Sequence, residues 1–248
     1  MLSKAKIKYI NSLQQKKYRQ KEQLFIVEGE KIIAEVLSQD VFKVHSIYAT
    51  DIWLNKNMTF AAQYTGILTT ISVAELKKIS TLKTPNQVLV LLEIPKGNIS
   101  SNNPDQSFNL VLENIQDPGN MGTIIRIADW FGVENIFCSK GCVDCYNPKV
   151  IQATMGSFLR VPIQYTDLEV LFQKHTELPI YGAVLGGTNL QQSRLKTPSF
   201  LLIGNEGKGL SEATQQLITE GITIPKFGGA ESLNAAVATG ILCAAFRQ

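Results

Sequence analysis

The residues best equipped for chemistry in this chain fall in three short stretches beyond position 113. They read NIQDPGNMGTIIR (114–126), IGNEGKGLS (203–211) and IPKFGGAESLNAA (224–236). Each sets Gly, Asn and one or two charged or hydroxyl groups between an apolar run and a helix-like segment. In open α/β sheets ligand sites form there, outside the carboxyl ends of strands.

In the first stretch Asp117, Pro118 and Gly119 specify a tight turn, since Pro presets φ and Gly tolerates positive φ. Asn120 and the free backbone N–H groups of a helix start can bind an anion or a polar ligand. Arg126 falls about one and a half turns into the helix that this turn opens. Its guanidinium could clamp a phosphate or stabilise charge beside a ribose, or simply pair with Asp129 on the helix surface. The second stretch resembles a phosphate loop only superficially, because Gly209 follows Lys208 where a Ser or Thr is required. Asn205 and Glu206 in a Gly-rich turn could hold an adenosine-like ligand, or form an ordinary connection. In the third stretch Ser232 is the expected helix cap. Asn234 falls in the first turn, where a structural role would favour Glu or Ala. The helix after it carries Ala235, Ala236, Ala238, Gly240, Ala244 and Ala245, small enough to pack closely within the core or across a dimer.

These segments need elements to hold them. Beyond a boundary rich in Ser, Asn, Pro and Gly at 96–107, strand and helix patterns alternate. Strands are expected at 108–112, 135–139, 179–184, 199–204 and 222–225, and helices at 123–131, 148–155, 212–219 and 233–246. The repetition implies a doubly wound parallel sheet over 108–248. Residues 1–95 read as a smaller α/β module: a basic helix at 3–20, strands at 23–27, 44–48 and 88–94, and helices at 29–38 and 73–79.

Charge divides the chain the same way. Residues 1–95 hold 13 Lys/Arg and 8 Asp/Glu, a net +5, against 11 and 13, a net −2, for the rest. Lys16, Lys17 and Arg19 lie in a run of 21 residues with seven basic groups and no acid. Such an end suits a polyanion, or forms a solvated helix face. No apolar run nears the roughly 18 residues that span a membrane, and residues 1–17 lack the core of a secretory signal. Cys138, Cys142 and Cys145 share the C-x3-C-x2-C spacing of radical enzymes. Asp144 replaces the usual aromatic residue, however, and too little chain follows for a barrel of about 250 residues. Three reduced thiols in a cytoplasmic protein, with no metal, is the expectation. His45 and His175 show no catalytic partner.

Taken together the three stretches resemble the motifs of the SpoU (TrmH-like) family of RNA ribose 2′-O-methyltransferases, within the SPOUT superfamily. VDCYNPK (143–149), ATMGS (153–157) and the N-terminal LQQKKYR (13–19) with FIVEG (25–29) are also similar to that family. The resemblance implies a deep trefoil knot in the C-terminal domain, an obligate homodimer, and S-adenosylmethionine as methyl donor. It implies an RNA substrate, ribosomal RNA ahead of transfer RNA. Carried over, it places Gly204, Ile224 and Leu233 at the cofactor, and Asn120, Arg126, Glu206, Ser232 and Asn234 in the catalytic set. A catalytically silent RNA-binding protein or a base-nitrogen methyltransferase are the alternatives. The spacing from Asn120 to Arg126 favours the ribose branch.

Overall fold

The computed structural model describes residues 1–39, 41–95 and 102–248. The chain forms two units, Met1–Gly97 with Tyr146–Leu159, and Asn98–Cys145 with Arg160–Gln248.

The first unit is built on a four-stranded sheet of β1 (Leu24–Glu28), β2 (Val44–Ala49), β3 (Leu68–Thr70) and β4 (Val88–Glu93), in the order β1-β4-β2-β3. The apolar run of β4 is central because it is flanked by antiparallel β1 and β2. The helix Val73–Ile79 starts at Ser72, whose side chain and that of Glu75 form a capping box. The basic segment does not form one helix over 3–20. It breaks into Lys4–Ser12 and Lys16–Glu22 around buried Leu13. Two short helices at Asp51–Lys56 and Met58–Gln63, and β3, have no counterpart in the sequence reading.

The expected division kept 108–248 together, but Tyr146–Leu159 clusters with the first unit. Its aromatic side chains explain why. Tyr146 packs on Phe25 at 4.7 Å between ring centroids, and Phe158 on Phe42 at 5.7 Å. Of the boundary expected at 96–107, residues 96–101 lie outside the described residues, and Pro104–Gln106 forms a single 3-10 turn.

The second unit carries a six-stranded sheet, parallel throughout. Its strands are β5 (Phe108–Leu112), β6 (Asn135–Cys138), β7 (Ile163–Tyr165), β8 (Ile180–Asn189), β9 (Ser199–Ile203) and β10 (Glu220–Thr223). The order is β10-β8-β9-β5-β6-β7. From β5 the chain steps outward through β6 to β7, then crosses to the other half of the sheet. The order therefore reverses between the adjacent strands β5 and β9, whose residues are all buried. A reversal of this kind leaves a crevice at the carboxyl ends of the strands.

Candidate active site

The loops that leave β5 and β9 are tied to each other. Asn114, at φ 55°, lends its carbonyl to Asn205 Nδ2 at 2.9 Å. Asn205 also organises its own turn. Its Oδ1 accepts from the backbone of Gly207 and Lys208 at 3.0 and 3.1 Å, and its backbone pairs both ways with Gly209. Gly204 is required here for space, since an added Cβ would lie 2.4 Å from the Gly209 carbonyl carbon. Beneath the turn, buried Glu113 accepts from Ser211 N and Oγ at 2.9 and 2.7 Å and from Thr214 Oγ1 at 2.8 Å. Nothing local in the sequence marked Glu113. The one signal was a carboxylate directly after the largely apolar strand FNLVL.

The helix after the first loop starts five residues before the expected position 123 and spans Pro118–Trp130. Asp117 caps it, accepting from Asn120 N at 2.8 Å, and Pro118 occupies its first position. Arg126 therefore lies over two turns in, exposed, with no hydrogen bond or ion pair among the described residues. Asp129 does not pair with it but with Arg160, at 2.8 Å.

The third segment departs from expectation at its cap. Asn234, not Ser232, caps the last helix, Ala235–Ala245, its Oδ1 accepting from Ala236 and Val237 N at 3.0 and 3.3 Å. Ser232 and Leu233 sit in the exposed loop before it, and Ile224 is half-buried just after β10. The capping fixes which way the Asn234 amide points. With its oxygen on the helix, its Nδ2 donates to Asn120 Oδ1 at 2.8 Å. The nitrogen of Asn120 then faces Glu206 and donates to Oε1 at 2.7 Å. Every donor and acceptor in this chain is assigned by its neighbour, from a helix N-terminus to a carboxylate.

Thus Asn120, Glu206 and Asn234 meet, one from each stretch, while among the described residues Arg126 and Ser232 form no hydrogen bond or ion pair with them. A cleft of about 410 Å³ lies at the carboxyl ends of β5, β6 and β7, lined by Glu113, Ser139, Lys140, Thr166 and Asp167, among others; it includes none of the three. The four cysteines are free and buried. Cys142, in the loop beside Asn114, has its thiol drawn down to about 7 by the Cys138 thiol, with further help from Ser139 and backbone N–H groups. Cys138 is correspondingly pushed up. No group of three or more His, Cys, Asp or Glu among the described residues could hold a metal, and no helix is long and apolar enough to cross a membrane. His175 pairs with the exposed Asp105 at 2.7 Å, and His45 with Ser46.

In the first unit Lys16 and Lys17 are exposed, with Lys17 Nζ 4.8 Å from the Tyr18 ring centre. Arg19 corrects the expectation of an RNA contact, being only 1% exposed. Its Nη1 donates to the carbonyls of Leu13 and Gln14 at 2.9 and 2.8 Å, closing the turn between the two basic helices.

The SpoU rRNA Methylase family model matches residues 107–244, and the MRM3-like substrate binding domain matches 4–90. The chain is 28% identical over 241 residues to the 23S rRNA (guanosine(2553)-2′-O)-methyltransferase RlmP of Bacillus subtilis, covering 96% of this chain and 94% of the relative. Among solved structures, a putative RNA methyltransferase of the TrmH family from Porphyromonas gingivalis superposes with a TM-score of 0.85 at 35% identity, over 99% and 98% of the two chains. An AdoMet-bound rRNA methyltransferase from Sinorhizobium meliloti gives 0.86 at 26%, over 100% and 96%.

Proposed function

The chain belongs to the SpoU rRNA methylase family, and on that premise we propose that it methylates a ribose 2′-hydroxyl of ribosomal RNA with S-adenosylmethionine. The observation that carries this reading is the hydrogen-bond chain Asn234–Asn120–Glu206, which unites the three sequence stretches at one crevice.

S-adenosylmethionine held there would supply a sulfonium methyl for in-line displacement by the 2′-oxygen, the O–C bond forming as S–C breaks, with S-adenosylhomocysteine leaving and the hydroxyl proton passing to solvent. Alignment dominates such a step, so a rigid set of orienting groups suits it. Gly204, Ile224 and Leu233 mark the backbone that holds the cofactor. The fit is supported by residues 226–233, none of whose backbone N–H groups donates within the described chain. Asn120, Ser232 and Asn234 orient the hydroxyl and the cofactor, with Glu206 anchoring Asn120. Arg126 holds the RNA phosphate or the emerging alkoxide. A guanidinium cannot act as base, because its pKa exceeds about 12.

Lys16 and Lys17 dock RNA in this reading. A homodimer belongs to it as well. Trp130 is 84% exposed, and Val237 and Ile241 are 52% and 39% exposed, on two helices packed where Gly240 meets Ile127. So does a trefoil knot, supported by the crossing from β9 past β8 to the edge strand β10. A cytoplasmic location belongs to this reading as well.

The test is transfer of labelled methyl from S-adenosylmethionine to separated 23S, 16S and transfer RNA from cells lacking the protein. A labelled 2′-O-methylnucleoside in ribosomal RNA is expected, and labelled base methylation would overturn the reading. Arg126→Ala should abolish turnover and leave cofactor affinity within a few-fold; loss of cofactor binding would remove Arg126 from the RNA side.

A further inference from the structure

Phe227 is 92% exposed, the one phenylalanine of the chain's eleven on the surface. It has no aromatic neighbour, although Phe108, Phe137, Phe172 and Phe200 of the same unit all pack against other rings. It stands in a run of nine exposed residues, 226–234, that ends on Asn234 of the hydrogen-bonded chain. Seven residues of chain reach at most about 25 Å, which bounds the distance from the Phe227 backbone to Asn234.

Its surroundings decide what the ring is for. An interface core would surround a phenylalanine with other apolar groups. Here the neighbours in the loop are Lys226, Gly228, Gly229, Ala230, Glu231 and Ser232. A side chain added at Gly228 or Gly229 would meet nothing within 4 Å, so the space beside the ring is open. Lys226 offers an exposed cation at the preceding position, while Glu231 is the loop's one acid. An exposed π-face in an open loop, with a lysine at the preceding position, suits an unstacked base and its phosphate.

We propose that Phe227 stacks on a base of the substrate RNA next to the target nucleotide, with Lys226 on the neighbouring phosphate, so that this loop positions the strand for methylation. The proposal rests on the RNA methyltransferase reading above. Stacking requires a π-face and not mere bulk, so Phe227→Trp and Phe227→Leu separate it from simple packing.

Two measurements on the full chain decide it. The first is tryptophan fluorescence of Phe227→Trp against the wild type during titration with a 12-nucleotide oligoadenylate. Stacking predicts a quench in the variant beyond that of the wild type; equal quenching overturns the proposal. The second is methyl-transfer kinetics on the ribosomal RNA that accepts label. Phe227→Leu should raise the RNA KM roughly 5- to 150-fold, with Phe227→Trp near wild type and cofactor affinity unchanged. A Phe227→Leu KM within twofold of wild type overturns it. So does a change in sedimentation mass, which would assign the ring to a second copy of the chain. Absence of methyl transfer by the wild type would sink the enzymatic reading alone, since the fluorescence titration still decides the stacking.

Discussion

Asn234 Nδ2 donates to Asn120 Oδ1 at 2.8 Å across 114 positions of sequence, and the same Asn234 holds the N-terminus of the last helix through its other amide atom. One residue thus does two separable jobs. Asn234→Asp keeps an oxygen for the cap but has no hydrogen for Asn120. Its stability should match the wild type, while kcat/KM falls roughly 100-fold, the scale of losing one oriented donor. Asn234→Ala should lose that activity and about 1 kcal/mol of stability with the cap. Urea unfolding beside steady-state kinetics checks both, and an active Asn234→Asp would show that the bond to Asn120 is dispensable.

Glu113 is 6% exposed and satisfies one backbone and two hydroxyl donors of the segment behind the GNEGKG turn. Glu113→Ala strands those groups, and should cost about 2–4 kcal/mol in chemical denaturation. Glu113→Gln, which can still accept with one atom, should cost less than Glu113→Ala. Equal stability of Glu113→Ala and the wild type would mean the buried carboxylate contributes nothing net.

At Gly204 the obstacle to a side chain is backbone. Atoms of Gly209 and Leu210 would stand 2.4–2.6 Å from an added Cβ, so nothing flexible can yield. Gly204→Ala should open the turn, weaken cofactor binding at least tenfold in calorimetry, and destabilise the chain by about 1–3 kcal/mol. Gly66→Ala, in the first unit, is the control, since its added methyl meets nothing within 4 Å.

The basic end divides into surface and interior. Lys16→Ala and Lys17→Ala should each reduce the slope of log K against log salt for RNA binding by about 0.7–0.9, with unfolding unchanged. Arg19→Ala should instead lower the melting temperature, because it leaves the Leu13 and Gln14 carbonyls without the guanidinium that closes their turn. A melting temperature equal to wild type would return Arg19 to the surface set.

Arg19 also shows where reading the sequence stops. Its charge is evident in a basic run, but its burial depends on a helix break that periodicity smoothed over. Most strands were legible to within a residue or two because continuous apolar runs mark buried strands, but the short, half-exposed β3 and β7 were missed and β8 runs five residues past its expected end. The meeting of Asn120, Glu206 and Asn234 was anticipated only through family likeness, since no local rule links positions so far apart. Ser232 and Asn234 are equally good caps by residue type. The choice between them fell to Asn234, the one bonded to Asn120. Glu113 was invisible for the same reason, its partners lying 98 and 101 residues away.

The placement of Tyr146–Leu159 bears on how specificity could be exchanged between relatives. A graft of residues 1–97 alone would arrive with Phe25 and Phe42 stripped of Tyr146 and Phe158. The unit is therefore not a detachable cassette. A chimaera that carries this unit has to import residues 146–159 as well, and recombination between family members is expected to succeed only where both pieces travel together.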